Sequence, residues 1–203
     1  MRQSATMLQI PGPQGMLEAK MNRVGETERG LIVLCHPHPA YGGNLNDRIL
    51  ETLANQAIQY GYATLAFNVA GVGASVGQTE SAAMAAADLA AVVAYVSDSK
   101  GSTPKLLGYS FGAIVVSEYL SAQQNLEALL IAPVLALGSK RLSDKARLSG
   151  QVIVGSEDAF AQPKTLSARF EPSSVQLIEG ADHFFNGYDE ALTKAAEPFF
   201  NGT

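Results

Sequence analysis

The chain has 203 residues, 47% of them hydrophobic and 16% charged, with a formal net charge of −5. That length and apolar content suit one packed domain and exclude a disordered chain. The acidic balance supplies no basic footprint for nucleic acid or an anionic membrane, and the single cysteine, Cys35, excludes an internal disulfide framework. No window approaches the ~18 uninterrupted apolar residues of a membrane helix. The opening MRQSATMLQIPGPQG lacks the apolar stretch of a secretory signal, so a cytoplasmic protein acting on a small molecule is expected.

Two short strands are predicted first, near 5–10 and 15–22, joined by the turn Pro11-Gly12-Pro13-Gln14-Gly15. Strand 30–35, helix 46–60, strand 62–68, helix 80–98, strand 104–109 and helix 111–122 follow. Strands 127–132 and 151–155, a short helix near 161–169, strand 174–178 and a helix near 188–200 close the series. Runs such as Leu129-Leu130-Ile131 and Val152-Ile153-Val154 are continuously apolar, as strands covered on both faces are. Residues 82–94, AAMAAADLAAVVA, read as a helix packed closely on the sheet. This alternation implies an α/β layer fold with a mainly parallel sheet, in which ligands bind beyond the carboxyl ends of the strands.

G-x-S-x-G occurs twice, at Gly73–Gly77 and Gly108–Gly112. The motif carries chemistry when a strand runs straight into it and a helix leaves it, because the tight turn then exposes a strained serine. Pro104-Lys105-Leu106-Leu107 enters the second copy and Ala113-Ile114-Val115-Val116 leaves it, so Ser110 is the candidate nucleophile. Ser75 sits in a glycine-rich loop away from its strand and is expected to be structural. That loop also misses the dinucleotide fingerprint by one residue.

A serine hydroxyl needs a base to take its proton, and the base needs a carboxylate to orient it. Where an elbow of this kind occurs, the acid and then the histidine follow the serine along the chain. His183, in Gly180-Ala181-Asp182-His183-Phe184-Phe185, is the one histidine downstream of Ser110. Asp158 ends the strand segment Gln151–Gly155 and its loop, with Glu157 as its nearest rival. Asp182 adjoins His183 and would have difficulty turning onto that ring.

The loop Cys35-His36-Pro37-His38-Pro39 follows a strand, where an acyl-transfer site keeps a second backbone donor beside the N–H after the nucleophile, here Phe111. Prolines have no N–H to offer, so His38 is the first choice, with Ala40 or Tyr41 behind it. A metal reading of His36-x-His38 is weaker. Barrels that begin that way need ~250 residues, a catalytic zinc takes three protein ligands, and the chain has three histidines in all.

His36-Pro37-His38-Pro39 with Tyr41-Gly42-Gly43, the Gly71-Val72-Gly73 loop, the Ser110 elbow and Ala181-Asp182-His183-Phe184-Phe185 resemble a family of small bacterial α/β-hydrolases. The resemblance runs from about residue 5 to the end. It implies a three-layer α/β-hydrolase fold, a mostly parallel central sheet with helices on both faces, no cap domain, and Ser110, Asp158 and His183 as the triad. The chain departs from the family pattern at Ala70, where arginine is usual, and at Asn46-Asp47, where the order is usually Asp-Asn.

Ester or thioester cleavage through an acyl-enzyme, needing no metal or organic cofactor, is therefore the expected activity. The connection Pro133–Gly150 is too short for a folded lid, so an open site taking short or protruding acyl substrates is expected. Tyr41, Phe160 and Phe184, with Phe111, are candidates to line it. A non-catalytic binding scaffold is the rival from another class, and an acyltransferase or peptidase would use the same residues.

Overall fold

The computed structural model describes residues 4–25, 28–100, 103–122, 126–144 and 148–201. Eight strands form one sheet: β1 (Ser4–Gly12), β2 (Gly15–Arg23), β3 (Gly30–Cys35), β4 (Tyr62–Phe67), β5 (Lys105–Tyr109), β6 (Ala128–Ile131), β7 (Gln151–Gly155) and β8 (Val175–Ile178). Their order is β1-β2-β4-β3-β5-β6-β7-β8. The pairs β1–β2 and β2–β4 are antiparallel, and every pair from β4 across to β8 is parallel. The hairpin turn predicted at 11–15 closes β1 onto β2, whose Gly12 and Gly15 are the last paired residues.

The described residues also form six α-helices: α1 (Arg48–Gln59), α2 (Ala82–Lys100), α3 (Phe111–Ala122), α4 (Lys140–Ser143), α5 (Pro163–Arg169) and α6 (Asp189–Asn201). From β3 the chain crosses one way, through α1, to β4; from β4 it crosses back, through α2, to β5. Right-handed crossovers in opposite directions put α1 and α2 on opposite faces. Accordingly α1 packs with α6, and α2 packs with α3. The continuously apolar strands follow from this: all of β4, and all but the first residue of β3, β5 and β7, are buried. Helix α3 is buried from Phe111 to Leu120, as a helix covered on every side must be.

The change of direction makes the gap between the ends of β3 and β5 a topological switch point, the place where open parallel sheets take ligands. Cys35 pairs with Gly108 there, Tyr109 with Ile131, and Gly155 with Ile178. The loops after β3, β5, β7 and β8 therefore leave the sheet along one edge. Within the β6–β7 connection the described residues hold a 3₁₀ turn at Leu135–Leu137 and the four-residue α4, and no cap domain stands there; residues 145–147 lie outside the described residues. The sequence-based elements hold to within about two residues at their ends, but α4 and this 3₁₀ turn were not among them.

Candidate active site

Strand β5 runs directly into the Gly108–Gly112 elbow and α3 starts at Phe111. Ser110 sits between them with φ of 55°, the left-handed region that costs a side-chain-bearing residue energy. Its own N–H donates to Ile131 O at 2.8 Å, which ties the turn to β6. The two flanking glycines are there for close approach. A Cβ on Gly108 would overlap the Gly112 carbonyl, and one on Gly112 would overlap the Cys35 carbonyl. With both side chains absent, the first turn of α3 lies against the end of β3.

Ser110 Oγ lies 3.0 Å from His183 Nε2, and His183 Nδ1 lies 2.8 Å from Asp158 Oδ2. The residues come from the loops after β5, β8 and β7, and all are buried. The other Asp158 oxygen, Oδ1, accepts the N–H groups of Phe160 at 2.8 Å and Ala161 at 2.7 Å. The carboxylate is thereby oriented, with Oδ2 turned to the imidazole. Since a carboxylate only accepts, Nδ1 carries the proton and Nε2 presents its lone pair to the serine hydroxyl. The loops holding acid and base are bonded to each other, Glu157 N–H donating to Ala181 O at 3.0 Å. The rivals point elsewhere: Glu157 is exposed, and so is Asp182, whose Oδ1 accepts the Phe184 N–H at 2.9 Å.

The histidine loop lies beside the elbow, with the His38 ring 4.8 Å from the Phe111 ring, centroid to centroid. Three N–H groups of this loop are open to choice on sequence alone, and geometry narrows them. Ala40 N–H donates to His38 Nδ1 at 3.1 Å and Tyr41 N–H to His38 O at 3.0 Å. The N–H groups of His38 and Phe111 have no partner among the described residues. Phe111 also begins α3, so the positive end of the helix dipole faces Ser110.

His36 is fully engaged. Its Nδ1–H donates to Pro37 O at 2.7 Å and its Nε2 accepts from Val69 N–H at 3.2 Å, which leaves no lone pair for a metal. Burial lowers its pKa to about 4, against a smaller upward effect of the Pro37 carbonyl. Burial also pushes the Cys35 thiol far up, so it is not a reactive group. Ser75, the serine of the first G-x-S-x-G, is buried; its Oγ donates to Asn68 O at 2.7 Å and accepts from Glu18 N–H at 2.9 Å.

The three aromatic candidates differ. The Phe160 and Phe184 rings lie 5.0 and 5.5 Å from the His183 ring, while Tyr41, 91% exposed, meets the group through the His38 ring at 5.7 Å. A cleft of about 170 Å³ lies elsewhere, under α1 between Lys20, Asn22, Glu51 and Asn55, and none of Ser110, Asp158 and His183 lines it. Two supports of the site have no signal in spacing or periodicity. Tyr109 O–H donates to His183 O at 3.0 Å, its pKa pushed up by burial first and by the charges of Asp47 and Asp158 after it. Arg48, at the start of α1, donates to Phe184 O at 2.6 Å and pairs with Asp189.

Known proteins share this architecture. The family described as alpha/beta hydrolase fold matches residues 30–133, just over half of the chain. An alpha-beta serine hydrolase homologue from Coxiella burnetii is 26% identical, with a TM-score of 0.83 and coverage of 93% of this chain and 94% of that one. A putative alpha/beta hydrolase from Agrobacterium tumefaciens is also 26% identical, with a TM-score of 0.83 over 97% and 95% of the two chains. A serine hydrolase without lid from Xanthomonas campestris shares the fold at 22% identity, with a TM-score of 0.81 over 100% and 98%. An uncharacterized protein of Rickettsia prowazekii is 24% identical over 93% of this chain and 85% of its own length. The chain belongs to the alpha/beta hydrolase fold family. Hydrolysis is the chemistry that this membership and these relatives support.

Proposed function

We propose that the protein cleaves small acyl esters, or thioesters of the same size, through an acyl-enzyme on Ser110. What supports this reading most is the bonded line from Ser110 Oγ through His183 to Asp158 Oδ2, with contacts of 3.0 and 2.8 Å. His183 Nε2 takes the hydroxyl proton as Oγ attacks the carbonyl carbon. The oxyanion that forms is met by the N–H groups of Phe111 and His38, an arrangement in which losing one donor costs on the order of 3 kcal/mol. Asp158 stabilises the imidazolium, buried with it away from water. The imidazolium then gives its proton to the departing alcohol oxygen, and water, activated by the same nitrogen, releases the acid. These steps use side chains and backbone groups of this chain throughout.

The test is turnover of p-nitrophenyl acetate and butyrate. Ser110→Ala is expected to lower kcat by at least about 10⁴-fold while the melting temperature holds. Full activity in a folded Ser110→Ala variant would sink the reading.

A further inference from the structure

We infer that Phe160 and Phe184 bind the alcohol half of the substrate, and that this half is a planar aromatic or similarly bulky apolar alcohol. The inference rests on the ester hydrolase reading above. The reaction itself decides where each half lies. Ser110 Oγ forms a bond to the carbonyl carbon, the bond from that carbon to the alcohol oxygen breaks, and the proton on His183 Nε2 moves to that oxygen. The alcohol therefore leaves from beside His183, while the oxyanion sits on the side of His38 and Phe111.

The rings in contact with His183 are those of Phe160 and Phe184, with Tyr109 beneath. Of the eight phenylalanines in the chain, Phe67, Phe111, Phe170, Phe185, Phe199 and Phe200 are buried. Phe160 and Phe184 alone stand out, 61% and 52% exposed. Both exposed phenylalanines thus lie on the imidazole that must reach the leaving group. Neither sits on slack backbone: Phe160 N–H is held by Asp158 Oδ1, Phe184 N–H by Asp182 Oδ1, and Phe184 O by Arg48.

The two rings meet edge to face, 6.3 Å apart at 75°. Such a pair leaves a corner where a third ring stacks on one partner and presents its edge to the other. Covering that corner also removes two exposed apolar surfaces from water. A rival explanation gives the rings a shielding role only, keeping water from the His183–Asp158 pair; that role would not distinguish one alcohol from another.

Acetates of methanol, benzyl alcohol and 2-naphthylmethanol separate the two. The acyl group is constant and the alcohols are of similar acidity, so differences report binding of the alcohol. The wild-type protein is expected to prefer the benzyl and naphthylmethyl esters. In Phe160→Ala and in Phe184→Ala the ratio of kcat/KM for benzyl over methyl acetate is expected to fall about tenfold. Phe160→Leu and Phe184→Leu, which keep apolar volume, guard against local collapse and should show a smaller fall. An unchanged ratio in the alanine variants overturns the inference, as does a shift instead in the ratio of benzyl butyrate to benzyl acetate, which would put the rings on the acyl side. No turnover of any ester by the wild type, with Ser110 unreactive toward a fluorophosphonate, overturns the hydrolase reading and this inference together; turnover with unaltered ratios overturns this inference alone.

Discussion

Replacing Asp158 by asparagine changes one atom of the site and has a consequence that can be worked out bond by bond. Asp158 Oδ1 is held by the N–H groups of Phe160 and Ala161, and Oδ2 by the Nδ1–H of His183. An asparagine keeps its carbonyl oxygen on the two backbone donors, since the amide nitrogen cannot accept them. Its NH₂ then faces His183 Nδ1, so the imidazole turns to the tautomer protonated on Nε2. That nitrogen can no longer take the Ser110 proton, and the imidazolium loses its counter-charge. The expected loss in kcat is about 10⁴-fold, or roughly 5.4 kcal/mol at 1.36 kcal/mol per decade. Folding changes little, because the buried backbone donors stay bonded. Asp158→Ala, by contrast, strands the buried Ala161 N–H and costs about 1–3 kcal/mol of stability, some 2–4 °C in melting temperature per kcal/mol for a chain of this size. Steady-state ester hydrolysis and thermal melts of the two variants provide the assay. An Asp158→Asn enzyme within about tenfold of wild type, against the loss expected for a wrong tautomer, would refute the reasoning.

Two further outcomes follow from buried polar groups outside the triad. Ser75→Ala removes a hydroxyl bonded to Asn68 O and to Glu18 N–H; kcat per folded molecule should hold while stability drops by about 1–3 kcal/mol, read by urea unfolding. His36, with a pKa of about 4 in the fold against 6.5 ordinarily, binds its proton more weakly folded than unfolded. Its contribution to stability is therefore complete above 6.5 and declines as pH falls toward 4, with a slope of up to about 1.4 kcal/mol per pH unit. Asp47 and Asp88, whose pKa values burial raises, act with the opposite sign, their contribution falling as pH rises. The comparison is accordingly between wild type and His36→Gln, in which the slope between these limits should flatten; equal slopes would remove His36 from the account.

The core of the fold was legible because its signals are local. Strands β3, β4, β6 and β7 are covered on both faces and read as apolar runs, and the elbow is written in five consecutive residues. The order serine, acid, histidine then picks out Asp158 and His183 because each follows a strand. What was not legible depends on partners far apart in sequence. Helix α4 is four residues long, below any periodicity; its cap Ser139 is held by the buried Glu118 of α3. That Ser75 is structural is expected from its loop, but the groups that hold it, Glu18 N–H and Asn68 O, lie across the folded loop and have no local signal. Arg48 and Tyr109 hold the His183 loop through its carbonyls, a contact any long donor could make and no motif announces. The 61% exposure of Phe160 beside the His183 ring comes from two loops meeting in the fold, and no local pattern announces it.

The measurement that tests the central claim most directly is labelling of the wild-type protein with a fluorophosphonate, followed by peptide mapping, because the probe needs an activated serine and no knowledge of the substrate. The account predicts stoichiometric label on Ser110, none on Ser75, and loss of labelling in Asp158→Asn. A folded wild-type protein that takes no label, or takes it at another serine, would contradict the assignment of Ser110 as the nucleophile.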